Sequence, residues 1–364
     1  MRHRHHYCGT GVTVVAQGVL SLSIIHSLSS GFDTITKRIW LIFIPVLLDL
    51  YLWIGPRLSI YPLVKRALPL AALSPSASPE EQLVLAEIVE LLKQASQRFN
   101  AFSFLIIRKL DMPSLISPNP WLETVGITLN ISSLVTFQAP EANFLSQPLP
   151  VIEVGSETVF LGLYILLSLM GMLVGCSYLG LIAQEVRDNR LNVTHVLRRV
   201  WIWWARVALM ALLIFTALLM LGIPLLVIVT LLSSLSRNLA QLIGNFIFIS
   251  SIWVGMWFYI YLFFFVNALI LNDTGILRAL WNSFNVVRRN FWPTVGLMLL
   301  TGLIGTGFSI IWRVLSTSSW GTLFAIVGNA YIGSGLAAAS FIFYRDRFVA
   351  WQEELAGQAE ADQE

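Results

Sequence analysis

Six stretches of this chain are apolar over lengths that approach or exceed what a bilayer crossing demands, and that restricts the fold to a polytopic membrane bundle. Crossing about 30 Å of hydrocarbon at about 1.5 Å per residue takes roughly 20 mainly apolar residues. The runs from about Val159 to Ala183, Val207 to Leu232, Ile243 to Leu271, Val295 to Leu315 and Trp320 to Tyr344 meet that demand, and Ile39 to Gly55 falls slightly short. Composition agrees: 56% of residues are hydrophobic and 12% charged, against about 25% charged in soluble domains. The tryptophans and tyrosines gather near the ends of the apolar runs, where a ring with one polar edge suits the headgroup layer.

A basic, amphipathic segment precedes the fifth run. In Leu280 to Trp292 and the turn before it, Ile276, Leu280, Phe284, Val287 and Phe291 share one helical face, with Arg278, Asn282, Asn285, Arg288 and Arg289 mostly opposite. Leu28, Phe32, Ile35, Lys37, Ile39 and Trp40 fall on the same frame near the N-terminus, and a weaker copy runs from Val193 to Trp204. Helices of this kind rest in a headgroup layer or pack as connectors on bundle ends, and the two roles are compatible. Lys37, Arg38, Trp40, Arg198, Arg199, Trp204, Arg288, Arg289 and Trp292 are the expected lipid-interface residues. The expected fold is thus an all-α membrane protein with six transmembrane helices in three amphipathic-helix-plus-hairpin units. A small extracytoplasmic cap is inserted between the first two spans.

The corresponding division is an N-terminal leader and interfacial helix (1–38), a first span (39–55), the cap (56–157), a five-helix remainder (158–345) and an acidic tail (346–364). Lys and Arg flanking the spans favour both termini on the cytoplasmic side of a bacterial inner membrane. In the cap, Ser78, Pro79 and Glu81 form a capping-box signal for a helix reaching Phe99, and Val125 to Ile131 alternates like a short strand. The histidine-rich first residues read either as a misplaced start or as the basic end of a signal peptide. The tail after Trp351 is expected to be solvated and mobile.

Chemistry-bearing residues are sparse. Asp49 is the only acid well inside a predicted span, with Arg57 and Arg313 as candidate partners. It reads as a structural ion pair or as a proton- or substrate-handling group. Gly302, Gly305, Gly307, Gly328, Gly333 and Gly335 form small-residue faces suited to close helix packing or to a substrate path. His3, His5 and His6 resemble a metal tract by composition alone, and Cys8 and Cys176 suggest neither a disulfide framework nor a zinc site. No catalytic residue, metal site or cofactor is therefore expected. The net charge of +3, with bases dispersed along membrane flanks, argues against nucleic acid as a partner.

The stretch Asn272-Asp273-Thr274-Gly275-Ile276-Leu277-Arg278-Ala279-Leu280, followed by Ser283-Phe284 and Arg289-Asn290-Phe291-Trp292, resembles bacterial six-span integral membrane families. These include the membrane domain fused to some glycerophosphoryl diester phosphodiesterases. The resemblance implies the membrane fold and carries no catalytic residue; the chain lacks room for the soluble catalytic barrel. The expected role is non-enzymatic: organising lipids, anionic headgroups on the cytoplasmic face above all, or partner membrane proteins. A permease-like transporter of small solutes or lipids is the alternative.

Overall fold

The structure, a computed structural model, describes residues 11–72, 89, 90, 93, 96, 100–105 and 150–361, with side chains from residue 24 apart from 67–72, 309, 313, 359 and 361. The elements in order are α1 (Gly11–Lys37), a 3-10 turn (Ile39–Ile42), α2 (Phe43–Ile54), β1 (Arg57–Ser59), α3 (Tyr61–Ala72) and a second 3-10 turn (Ala101–Leu105). After β2 (Val151–Glu153) come α4 (Glu157–Asp188), α5 (Val193–Leu235), α6 (Arg237–Tyr261), α7 (Phe265–Leu271), α8 (Ile276–Arg289), α9 (Phe291–Leu315) and α10 (Ser319–Ala361). Five helices are long and apolar enough to cross a membrane: α4, α5, α6 continued by α7, α9 and α10. Ile39–Ile54 is a shorter apolar helix.

Helix α10 is the axis of the bundle. Its small residues Ala337, Ala338 and Ala339 are buried, which lets neighbouring backbones approach closely. Helix α1 lies along it: a Cβ added at Gly31 would stand 2.6 Å from both the Gly335 carbonyl oxygen and the Ala339 nitrogen. Phe32 covers Gly335 in return. The segment expected as an interfacial helix therefore contributes, over its described side chains, to the packed bundle.

The three amphipathic segments take three different forms. The first is the end of α1, separated from α2 by the 3-10 turn. The second merges with its span, because nothing between Trp201 and Val207 breaks a helix. Helix α5 runs unbroken for 43 residues, about 64 Å at about 1.5 Å per residue and longer than the roughly 45 Å of bilayer with headgroups. The third, α8, stops at Asn290, whose backbone (φ −124, ψ 44) leaves the helical region before α9 begins. Pro293 follows in the first turn of α9, where its missing N–H has no helical partner to lose.

The buried face of α8 is also rotated from the sequence expectation. Asn282 and Ser283 are buried beside Ala279, Val286 and Val287, whereas Leu277 and Trp281 are exposed. Ser283 donates to the Tyr261 carbonyl at 2.7 Å, so the bundle supplies a polar partner that the apolar pattern alone did not reveal. Part of the expected tail is helical. Helix α10 continues to Ala361, and Glu354 forms an ion pair with Arg289, whose guanidinium lies 5.7 Å from the Trp351 ring centre.

The insertion after α2 is closed at its base. Strands β1 and β2 pair in parallel with Leu58 opposite Ile152, so the two ends of the insertion lie side by side. Asn100 Oδ1 accepts from the backbone N–H groups of Leu58 at 3.0 Å and Phe102 at 3.2 Å. Leu58, Ile60, Ala101 and Val154 then form a small core with Leu167 of α4. Residues 89, 90, 93 and 96 are helical, in keeping with the expected helix; its capping box and the strand over 125–131 lie outside the described residues.

Candidate functional site

The densest polar chemistry lies where the C-terminal end of α4 and the α7–α8 turn meet the N-terminal part of α5. Helix α4 ends as Asn189 takes a left-handed conformation (φ 50), a geometry Asn tolerates better than most residues. Gln184 Oε1 accepts from the Asn192 backbone N–H at 3.0 Å, and Asn192 Oδ1 caps α5 by accepting from the His195 N–H at 3.2 Å. These bonds turn the chain so that α5 runs back along α4, with Val196, Val200, Trp203 and Val207 on its buried face.

Helix α7 ends in Asn272, after which Asp273 is again left-handed (φ 48). The Asp273 carboxylate faces α5: it pairs with Arg199 and with Arg206 Nη1 at 3.4 Å, and accepts from Trp203 Nε1 at 3.0 Å. Arg206 also donates to the Thr274 carbonyl at 3.0 Å. Trp203 packs on Gly180, where a Cβ would come within 2.6 Å of the ring. Between Gly180, Gln184, Arg187, His195, Trp203 and Leu271 remains a cleft with room for about one water.

A second polar column ties α10 to its neighbours. Tyr178 donates to Ser334 at 2.7 Å, Asn267 to Ser340 at 3.0 Å and Asn272 to the Tyr344 hydroxyl at 2.9 Å. Arg345 donates to the Val186 carbonyl at 2.6 Å. Nearby, Arg38 Nε lies 3.4 Å from Oε1 of Glu185, a carboxylate whose side chain is only 2% exposed. Each bond satisfies a polar group that would otherwise be buried at a penalty, so the column fixes helix register. Among the described residues no three His, Cys, Asp or Glu side chains converge on a possible metal position.

Comparisons with known protein families, with curated proteins and with solved structures find no match.

The residues singled out from the sequence divide by environment. Asp49 is fully buried in α2 and engaged in an interaction within the structure. Arg57 is exposed on β1, where its backbone N–H donates to the Pro150 carbonyl, and the Arg313 side chain lies outside the described residues. Of the expected lipid-interface set, Lys37, Trp40, Arg198, Arg288 and Trp292 are exposed. Arg38 and Arg289 are exposed as well and Arg199 is half-buried, and these three form ion pairs with Glu185, Glu354 and Asp273 respectively. Trp204 is half-buried and donates to the Leu169 carbonyl at 2.9 Å, which makes it a bundle contact. Gly328 and Gly335 are closely packed against Trp312 and Phe32, but nothing lies within 4 Å of a Cβ at Gly302, Gly305 or Gly307.

Asp273 and Trp203 escaped the sequence reading. The signal was present as an acid in a short Asn-Asp-Thr-Gly turn at the end of an apolar run. Its partners lie far away in the chain, at a helical spacing that also fits a lipid-facing basic stripe.

Proposed function

We propose that this chain is a non-enzymatic, six-span protein of the bacterial inner membrane, with both termini cytoplasmic, that organises lipids or partner membrane proteins. The observation that supports this reading best is the α5–α6 hairpin. A helix apolar on all sides belongs in a protein core or in lipid. Here Leu218, Leu221 and Leu226 of α5 and Phe246 of α6 are 64, 67, 67 and 70% exposed, so the hairpin offers lipid or other helices far more surface than it spends on its own bundle. The sixth crossing in this reading is the Ile39–Ile54 segment, and the insertion closed by β1 and β2 is the extracytoplasmic cap.

Asp49 separates this role from transport. In proteoliposomes, Asp49→Asn should lower resistance to denaturation and leave solute and proton flux at the level of the unsubstituted chain. Loss of a proton-coupled flux in a variant that unfolds like the parent would overturn the proposal in favour of a permease. Reporter fusions after Ser156 and Asn192 should read outside and inside respectively. The likeness of Asn272 to Trp292 to phosphodiesterase-associated membrane domains fits the same reading and brings no phosphodiesterase chemistry with it.

A further inference from the structure

The two inner turns that meet at Asp273 share a sequence pattern. Leu191-Asn192-Val193-Thr194-His195-Val196-Leu197-Arg198-Arg199-Val200-Trp201 and Leu271-Asn272-Asp273-Thr274-Gly275-Ile276-Leu277-Arg278-Ala279-Leu280-Trp281 agree at Leu, Asn, Thr, Leu, Arg and Trp. Each follows the end of a membrane helix, α4 in one case and α7 in the other, and each opens a new helix. This register differs from the one that aligns Trp204 with Trp292, and the environments of the side chains support it.

Within both copies the matching residues have matching surroundings. Val196 and Val200 are buried in the first copy, and Ile276 and Leu280 are half-buried in the second. Leu197 and Trp201 are 57 and 58% exposed; Leu277 and Trp281 are 83 and 62% exposed. Arg198 and Arg278 are exposed too. On a helix, residues four apart share a face and the intervening arginine borders it, so each copy displays one Leu–Trp pair edged by one cation. Trp201 meets Trp204 edge-on at 5.9 Å between ring centres and Trp281 stacks on Phe284 at 6.3 Å, contacts along each triad's own helix that leave both rings largely exposed.

The arginines nearby divide in a telling way. Arg199 and Arg206 are held by Asp273, Arg187 by Asp188 and Arg289 by Glu354. Arg198 and Arg278, like Arg190 and Arg288, form no ion pair among the described residues. Asp273 belongs to the second copy, and Arg199, which holds it, belongs to the first; the latch therefore ties the turn that opens α8 to the N-terminal part of α5. Trp201 precedes the apolar run that starts at Val207 by about 9 Å along the helix, at the water-facing edge of the headgroup layer, from which the indole reaches back toward the acyl chains.

We propose that Leu197, Arg198 and Trp201 together with Leu277, Arg278 and Trp281 form a paired docking surface for anionic phospholipid headgroups at the inner leaflet. The uncompensated arginines attract the phosphates, and the tryptophan and leucine side chains enter the boundary between headgroups and acyl chains. The inference rests on the inner-face orientation proposed above and names the lipid class that this face takes.

The test uses the full chain, purified in detergent and titrated with phosphatidylglycerol or phosphatidylcholine. Arg198→Gln and Arg278→Gln should each weaken phosphatidylglycerol binding about fivefold, and together about 25-fold, with phosphatidylcholine binding unchanged. Trp201→Ala with Trp281→Ala should weaken both lipids. Wild-type affinity for phosphatidylglycerol in the double glutamine variant, with an unaltered unfolding profile, overturns the proposal. Should that variant misfold, the unsubstituted chain decides: phosphatidylglycerol affinity must fall between about 0.05 and about 0.5 M salt, and a flat response refutes the electrostatic role. An outside reading from the Asn192 reporter would remove the orientation itself, whereas a neutral arginine result with an inside reading removes only the docking surface.

Discussion

Replacing Asp273 tests whether the base of α5 is held by the carboxylate latch or by apolar packing alone. The carboxylate is partly buried, with its side chain 24% exposed, and its partners Arg199 and Arg206 are 43 and 28% exposed. Ion pairs so open to solvent contribute about 0.2 to 1 kcal/mol each. The Trp203 indole lies in a residue only 4% exposed, and its bond to a charged acceptor is worth about 1.5 to 3 kcal/mol. Together these give about 3 kcal/mol for complete loss of the side chain's interactions, or roughly 150-fold in the folding equilibrium. Asp273→Ala adds about 1 kcal/mol, because alanine tolerates the left-handed backbone at this residue (φ 48) less well than Asp. Asp273→Asn retains an acceptor oxygen for Trp203 and should lose only about 1 to 2 kcal/mol. Denaturant titration in mixed micelles, followed by circular dichroism, reads the series. A double-mutant cycle with Trp203→Phe isolates the indole bond and should return a coupling of about 1 kcal/mol or more. The reasoning fails if Asp273→Asn and Asp273→Ala unfold with the parent, or if the cycle returns no coupling.

Two further substitutions examine the α1–α10 contact and the base of the insertion between α2 and α4. Gly31→Ala places a methyl group against backbone atoms of Gly335 and Ala339, so α1 must shift; a loss of about 1 to 3 kcal/mol is expected, with faster proteolysis within 11–37. Asn100→Ala removes the acceptor shared by the Leu58 and Phe102 amides. Hydrogen exchange should quicken by about 10-fold or more at 57–59 and 100–105 while α10 remains protected, and equal exchange throughout would deny Asn100 its role.

Residues far apart in the chain explain which features were readable beforehand. The long apolar runs announce α4, α5, α6, α9 and α10, because hydrocarbon demands length and apolarity locally. The triad on α8 was partly visible as a basic amphipathic pattern, but its orientation was not. Hydrophobicity favours Leu280 and Phe284 inward; the bundle instead buries Asn282 and Ser283 along with Val286, since Tyr261 offers Ser283 an acceptor. Likewise, Arg199 and Arg198 are neighbours with the same local character, and only the approach of Asp273 sets them apart. The continuity of α5 through Trp204 and the stop at Asn290 follow two similar amphipathic segments, so pattern matching alone could not distinguish them.

By itself, the sequence determined that the chain must be a helical membrane protein with a polar insertion, because apolar length and composition act within each segment. It also contained the repeated Leu-Asn-x-Thr-x-x-Leu-Arg-x-x-Trp pattern, whose meaning stayed hidden while each copy was read as one more surface helix. Tertiary structure alone decided which glycines meet another backbone, which arginines are neutralised by carboxylates and which face of α8 looks outward. Those outcomes depend on partners brought together by helix packing, and close contact and hydrogen bonding act over a few ångströms whatever the separation along the chain.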